Sequence, residues 1–104
     1  MKDYNKAFEW YSKSANKGCA EGQCGLGNCY YYGKGVLALT EDNSKAFKLY
    51  SKSANGGCAE GQNGLGNCYY YGKGVMLDYS KAFEFYSKSA NNGCAEGQYS
   101  LGDC

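Results

Sequence analysis

The stretch Lys6–Cys29, KAFEWYSKSANKGCAEGQCGLGNC, returns as KAFKLYSKSANGGCAEGQNGLGNC over Lys45–Cys68 and again as KAFEFYSKSANNGCAEGQYSLGDC over Lys81–Cys104. The offsets are 39 and 36 residues. Self-similarity at that period marks a solenoid, whose units bury their apolar faces only against their neighbours. Proteins of this kind present an extended surface, so the repeat points to binding rather than to catalysis.

Two helical patterns alternate within each copy. The first runs from about residue 3 to 16, with Ala7, Phe8, Tyr11 and Ala15 recurring at the spacing of one helical face. Asp3, Asp42 and Asp78 precede it in the three copies, each suited to accept backbone N–H groups as an N-cap. Gly18, Gly57 and Gly93 stop it. The second pattern runs from about residue 20 to 32, against propensity. Gly22, Gly25 and Gly27 each cost roughly 1 kcal/mol relative to Ala in a helix interior. The same small residues let helices approach closely, and that packing must offset the loss. Gly33-Lys34-Gly35-Val36, repeated as Gly72-Lys73-Gly74-Val75, then turns the chain back. The segment 37–44 is three residues longer than its equivalent 76–80 and reads as a loop insertion.

These residues closely resemble the Sel-one-like repeat (SLR) of the tetratricopeptide superfamily. Its pattern is an L-G-x-x-Y helix, a G-x-G-V loop, an Asp, then K-A-x-x-W-Y-x-K-A-A-x-x-G. Leu26-Gly27-Asn28-Cys29-Tyr30, Gly33 to Val36, Asp42 and Lys45 to Ala54 follow it in order and spacing. The departures are Ser14, Ser53 and Ser89 in place of one Ala, and Gly22, Gly61 and Gly97 in place of another. The resemblance implies an all-α fold, a right-handed superhelical solenoid of antiparallel helix pairs. A first helix over about 3–16 would precede pairs over about 19–56 and 58–92, with a last helix at 94–104. It also implies that the L-G-x-x-Y helix lines the concave side. On that register the concave positions are Glu21, Cys24, Asn28, Tyr31 and Tyr32 in the first copy. The second supplies Glu60, Asn63, Asn67, Tyr70 and Tyr71, and the third Glu96, Tyr99 and Asp103. Family members are generally adaptors that grip peptides or partner proteins, so a protein or peptide partner is expected.

Composition narrows the alternatives. The 104 residues carry a net charge of +1 with both signs mixed along the chain, so no field favours nucleic acid or an anionic membrane. All eleven basic residues are Lys, which removes the bidentate fork that reads phosphate or guanine. His is absent, and with it the side chain that titrates near neutrality. No apolar run approaches the ~20 residues of a membrane span, and the N-terminus lacks a signal segment. A reducing cytoplasm is the expected compartment. Ser12, Ser14 and their copies have no base to activate them, so no enzyme is expected. Gly27 to Lys34 has the wrong spacing for a phosphate loop, and no cofactor is implied.

Cysteine is the sharpest chemical candidate. Cys19, Cys58 and Cys94 are equivalent, as are Cys29, Cys68 and Cys104, while Cys24 is unmatched. Within a repeat the two classes lie ten residues apart, roughly 15 Å along a helix. A disulfide needs Cα atoms within about 7 Å, so such a pair can neither bond nor share a zinc ion. Free thiols behaving as small hydrophobes are the first expectation. A redox or metal sensor is the alternative, with Cys24 its reactive thiol because the helical register exposes it. A third reading makes the chain a structural segment of a longer scaffold without a ligand. The chain stops before the third copy's loop, and uncapped solenoid ends would then favour self-association.

Overall fold

A computed structural model of the chain describes residues 4–33 and 42–92. They form five α-helices and no strand: α1 (Tyr4–Asn16), α2 (Ala20–Tyr32), α3 (Asn43–Asn55), α4 (Ala59–Tyr71) and α5 (Tyr79–Asn91). The expected last helix at 94–104, with Glu96, Tyr99 and Asp103, lies outside the described residues, as does Asp3.

Each helix begins and ends for a local reason. Asp42 and Asp78 cap α3 and α5, their carboxylates accepting from the Lys45 and Lys81 backbone N–H at 3.1 and 3.0 Å. Helices α1 and α3 are followed by Gly18 and Gly57 at φ of 82° and 85°, a left-handed conformation that a side chain would strain. The turn closes as the Cys19 and Cys58 N–H groups donate back to the Ser14 and Ser53 carbonyls, both at 3.2 Å. Asp42 N–H donates to the Tyr30 carbonyl at 2.8 Å, and Asp78 N–H to the Tyr69 carbonyl at 2.9 Å. The two bonds are alike although the first connection is three residues longer in sequence, so the ends meet in the same way with either length.

Consecutive helices pack along the chain, and α2 also packs on α4. Among the described residues α3 meets neither α1 nor α5 in this way. The L-G-x-x-Y helices therefore form the closer, inner layer, and α1, α3 and α5 form the outer one. The glycines make this possible. A Cβ at Gly25 would strike the Tyr11 ring, and one at Gly64 would stand 2.5 Å from the Tyr50 ring. A Cβ at Gly27 would lie 3.0 Å from the same ring. Tyr50, 2% exposed, is thus held against two glycine notches, one on the inner helix before it and one on the inner helix after it. This packing offsets the poor helix propensity of α2 and α4.

The serines that depart from the Sel-one-like pattern are structural. Ser53 and Ser89 are fully buried, and each hydroxyl donates at 2.6 Å to the first carbonyl of the preceding inner helix, Ala20 or Ala59. A Cβ at Gly61 would collide with the Ser53 hydroxyl, so glycine and serine fit as a pair. Ser53→Ala and Ser89→Ala are each expected to lower stability by about 1 kcal/mol, the net worth of one buried hydrogen bond. The two losses should add, since they lie in different interfaces. Urea titration of the single and double variants measures both points, and unchanged midpoints would show the hydroxyls to be dispensable.

Candidate functional site

The inner layer carries the expected partner-binding residues of the first two copies. On α2, Glu21, Asn28 and Tyr32 are exposed, and on α4 so are Glu60 and Tyr71. Asn67 and Tyr70 are half-buried. Three residues of the expected set are instead buried: Cys24 at 3%, Tyr31 at 7% and Asn63 at 5% exposure.

Cys24 is a correction. The register turns it toward the inner face, but the following repeat packs over it, with Cys58 against the same cluster. Burial pushes its thiol up to about 12, with the neighbouring Cys58 and Glu60 adding to the rise. It is therefore shielded from solutes and is not the exposed thiol that the register led us to expect. Among the five described cysteines, all free, Cys19 is exposed and Cys58 half-buried.

Tyr31 is likewise a packing residue. Its ring centroid lies 5.9 Å from that of Tyr50 and 4.8 Å from that of Tyr32, and Lys73 stands 4.8 Å above it. The two asparagines have a structural duty that their spacing did not announce. Asn28 Oδ1 accepts from the Tyr50 hydroxyl, and Asn67 Oδ1 accepts from the Tyr86 hydroxyl at 2.6 Å. Burial holds the Tyr50 hydroxyl well above the usual phenol range, so it remains a donor. Tyr50 of α3 and Tyr86 of α5 are thereby each fixed to the inner helix before them.

What remains for a partner is a strip with repeat symmetry. Tyr32 lies edge-on to Tyr31 at 4.8 Å, and Tyr71 edge-on to Tyr70 at 4.9 Å. In each pair the first ring is more buried and the second is more than half exposed, at 56% and 61%. Such a supported ring offers contact area at small entropic cost. Glu21 and Glu60 stand at the opposite ends of the same helices. Sequence reasoning missed an apolar extension: Tyr79, 60% exposed, lies 5.1 Å from Tyr70, with Leu77 packed near Gly72 and Met76 beside it in sequence. The signal available was the apolar composition of Val75-Met76-Leu77 immediately after the turn glycines.

Among the described residues no group of three or more His, Cys, Asp or Glu could hold a metal ion. None of the described helices is long and apolar enough to cross a membrane. The fold and its surface define an all-α repeat solenoid with a tyrosine-bearing inner layer. The chain belongs to the Sel1 repeat family, whose model matches residues 1–19, 20–58 and 59–94. Three solved structures are similar to it. A protective antigen of uropathogenic Escherichia coli, displaying an SLR fold, is 38% identical with a TM-score of 0.84. That match covers 96% of this chain but 21% of the antigen. A Sel1 repeat protein from Oxalobacter formigenes is 29% identical with a TM-score of 0.85, over 97% of this chain and 39% of that protein. Cysteine rich protein B of Helicobacter pylori is 28% identical with a TM-score of 0.78, over 92% of this chain and 70% of that one. This chain therefore spans about a fifth and two-fifths of the first two. No curated protein is significantly similar to it. Sel1 repeats are generally non-catalytic protein-interaction scaffolds.

Proposed function

We propose that the chain is a non-catalytic recognition module whose inner face grips a peptide or a segment of a partner protein. The observation that carries this reading is the pair of equivalent, exposed rings, Tyr32 and Tyr71, each supported from behind by a more buried Tyr. Glu21 and Glu60 supply acceptors at the same helical position one repeat apart. On this reading Tyr31 and Tyr70 shape the surface, and Tyr32 and Tyr71 make the contact. Nucleic acid and membrane are disfavoured as partners by the +1 net charge and the lack of Arg, and a cytoplasmic setting is proposed with the same function.

The test selects ligands from a displayed random-peptide library and measures their affinity for the wild type and for Tyr32→Ala/Tyr71→Ala. Truncating a hot-spot residue costs about 2 kcal/mol or more and Tyr is enriched at hot spots, so affinity should fall by about 30-fold or more. Equal affinities, with the variant's circular dichroism unchanged, would remove the inner face from consideration. A second reading is that the chain is a structural stretch of a longer scaffold. Its support is the small share of the Escherichia coli and Oxalobacter proteins that it spans. That reading expects no peptide to be selected by the wild type.

A further inference from the structure

We propose that Cys24 and Cys58 form a reversible dithiol–disulfide pair that joins α2 to the start of α4, with a low-molecular-weight disulfide as its oxidant. Ser53 lies between the two repeats. Its hydroxyl donates to the Ala20 carbonyl at 2.6 Å, one helical turn before Cys24 on α2. Its own carbonyl accepts the Cys58 backbone N–H at 3.2 Å. Both cysteines are so brought to one serine. Cys24 belongs to the buried core cluster and Cys58 packs against that cluster from the solvent edge. The Cys24 and Cys58 side chains approach each other in that cluster, and the Cys24 side chain also approaches that of Ser53.

Sequence spacing could not show this pair, because its members are 34 residues apart and belong to different repeats. It is also confined to one interface. Asn63 occupies the position equivalent to Cys24 in the second copy, and Tyr99 in the third, so the second interface cannot form the same bond. Cys58 occupies the N-cap of α4 without any side-chain cap bond, which leaves its sulfur uncommitted to the helix.

The chemistry proceeds in two exchanges. Cys58, at the solvent edge, loses its proton to water, and its thiolate attacks the S–S bond of the oxidant. One thiolate leaves and a mixed disulfide on Cys58 remains. Cys24 then loses its proton to solvent and attacks the Cys58 sulfur, expelling the second thiolate. The pair gives up two electrons and the oxidant is reduced to two thiols. Because burial keeps the Cys24 thiol protonated, the second exchange limits the rate, and closure should quicken as the pH rises. In a reducing medium the pair stays open, and thiol reductant reopens it after oxidation.

The experiment treats the full chain with oxidised glutathione under native conditions, alkylates the remaining thiols, digests without reductant and locates cross-links by fragmentation mass spectrometry. A Cys24–Cys58 link is expected, lost in Cys24→Ala and in Cys58→Ser and retained in Cys19→Ala. Oxidised wild type should also unfold at higher urea than the reduced protein, a shift that both pair variants lack. A stable glutathione adduct on Cys58 with Cys24 still free would overturn the proposal. So would a link that forms only after the chain is unfolded in urea. The wild-type measurements decide the matter even if a variant folds poorly.

Discussion

Tyr50→Ala is expected to destabilise the protein by about 3–5 kcal/mol, the range for removing a buried aromatic side chain. Tyr50 is 2% exposed and fills the space between Gly27 of α2 and Gly64 of α4. Neither glycine has a side chain that could extend into the void. The truncation also takes the hydroxyl that Asn28 accepts. A chain of this length has a total stability on the order of 5–15 kcal/mol, so a loss of this size removes a large share. Tyr50→Phe separates the two contributions: it keeps the ring between the glycines and should cost only about 1 kcal/mol. Urea unfolding followed by circular dichroism reads both variants. If Tyr50→Ala cost no more than Tyr50→Phe, the ring would not be the element that joins the repeats.

The second large effect is a loss of stability in mild alkali. Burial pushes the Cys24 thiol up to about 12, and burial does the same to Cys68, where Lys73 opposes the rise only in part. Both residues are almost fully enclosed, at 3% and 0% exposure. In the unfolded chain these thiols ionise near 8.5. Below that value both states keep the proton and stability is unaffected. Above it the unfolded state sheds protons that the folded state retains, and stability falls with rising pH until the folded thiols ionise in turn. From about pH 7.5 to about pH 9.5 each thiol should remove roughly 1 kcal/mol or slightly more, so the pair removes about 2–3 kcal/mol. Urea midpoints under reductant at the two pH values measure the slope, and Cys24→Ala/Cys68→Ala should flatten it. An equal slope in the double variant would assign the effect to other groups.

The depth of the inner-face residues was not legible in the helical register. Register fixes which face of α2 a side chain occupies, and it placed Glu21, Cys24, Asn28, Tyr31 and Tyr32 together. It does not fix how far the next repeat folds over that face. Cys24, Tyr31 and Asn63 lie deep, Cys24 and Tyr31 where α3 and α4 reach across them, whereas Tyr32 and Tyr71, one residue beyond Tyr31 and Tyr70, emerge at the rim. Asn28 and Asn67 were equally ambiguous, since an amide that faces a groove and an amide that fixes a tyrosine look alike in sequence. The duty of Ser53 and Ser89 was hidden for the same reason: their acceptors, the Ala20 and Ala59 carbonyls, lie 33 and 30 residues away.

The sequence by itself determined the period, the helices and their ends, because these depend on contacts within a few residues. Asp42 caps α3, Gly57 follows its end, and apolar spacing marks the buried stripe of α3 and α5. It also foretold that the glycines of α2 and α4 serve close packing, since nothing else offsets their cost in a helix. Only the tertiary structure decided which thiols meet, which tyrosines are left to a partner, and which polar side chains bind one repeat to the next. Those outcomes depend on the separation and angle between α2, α3 and α4, which the summed packing of side chains from adjacent repeats sets.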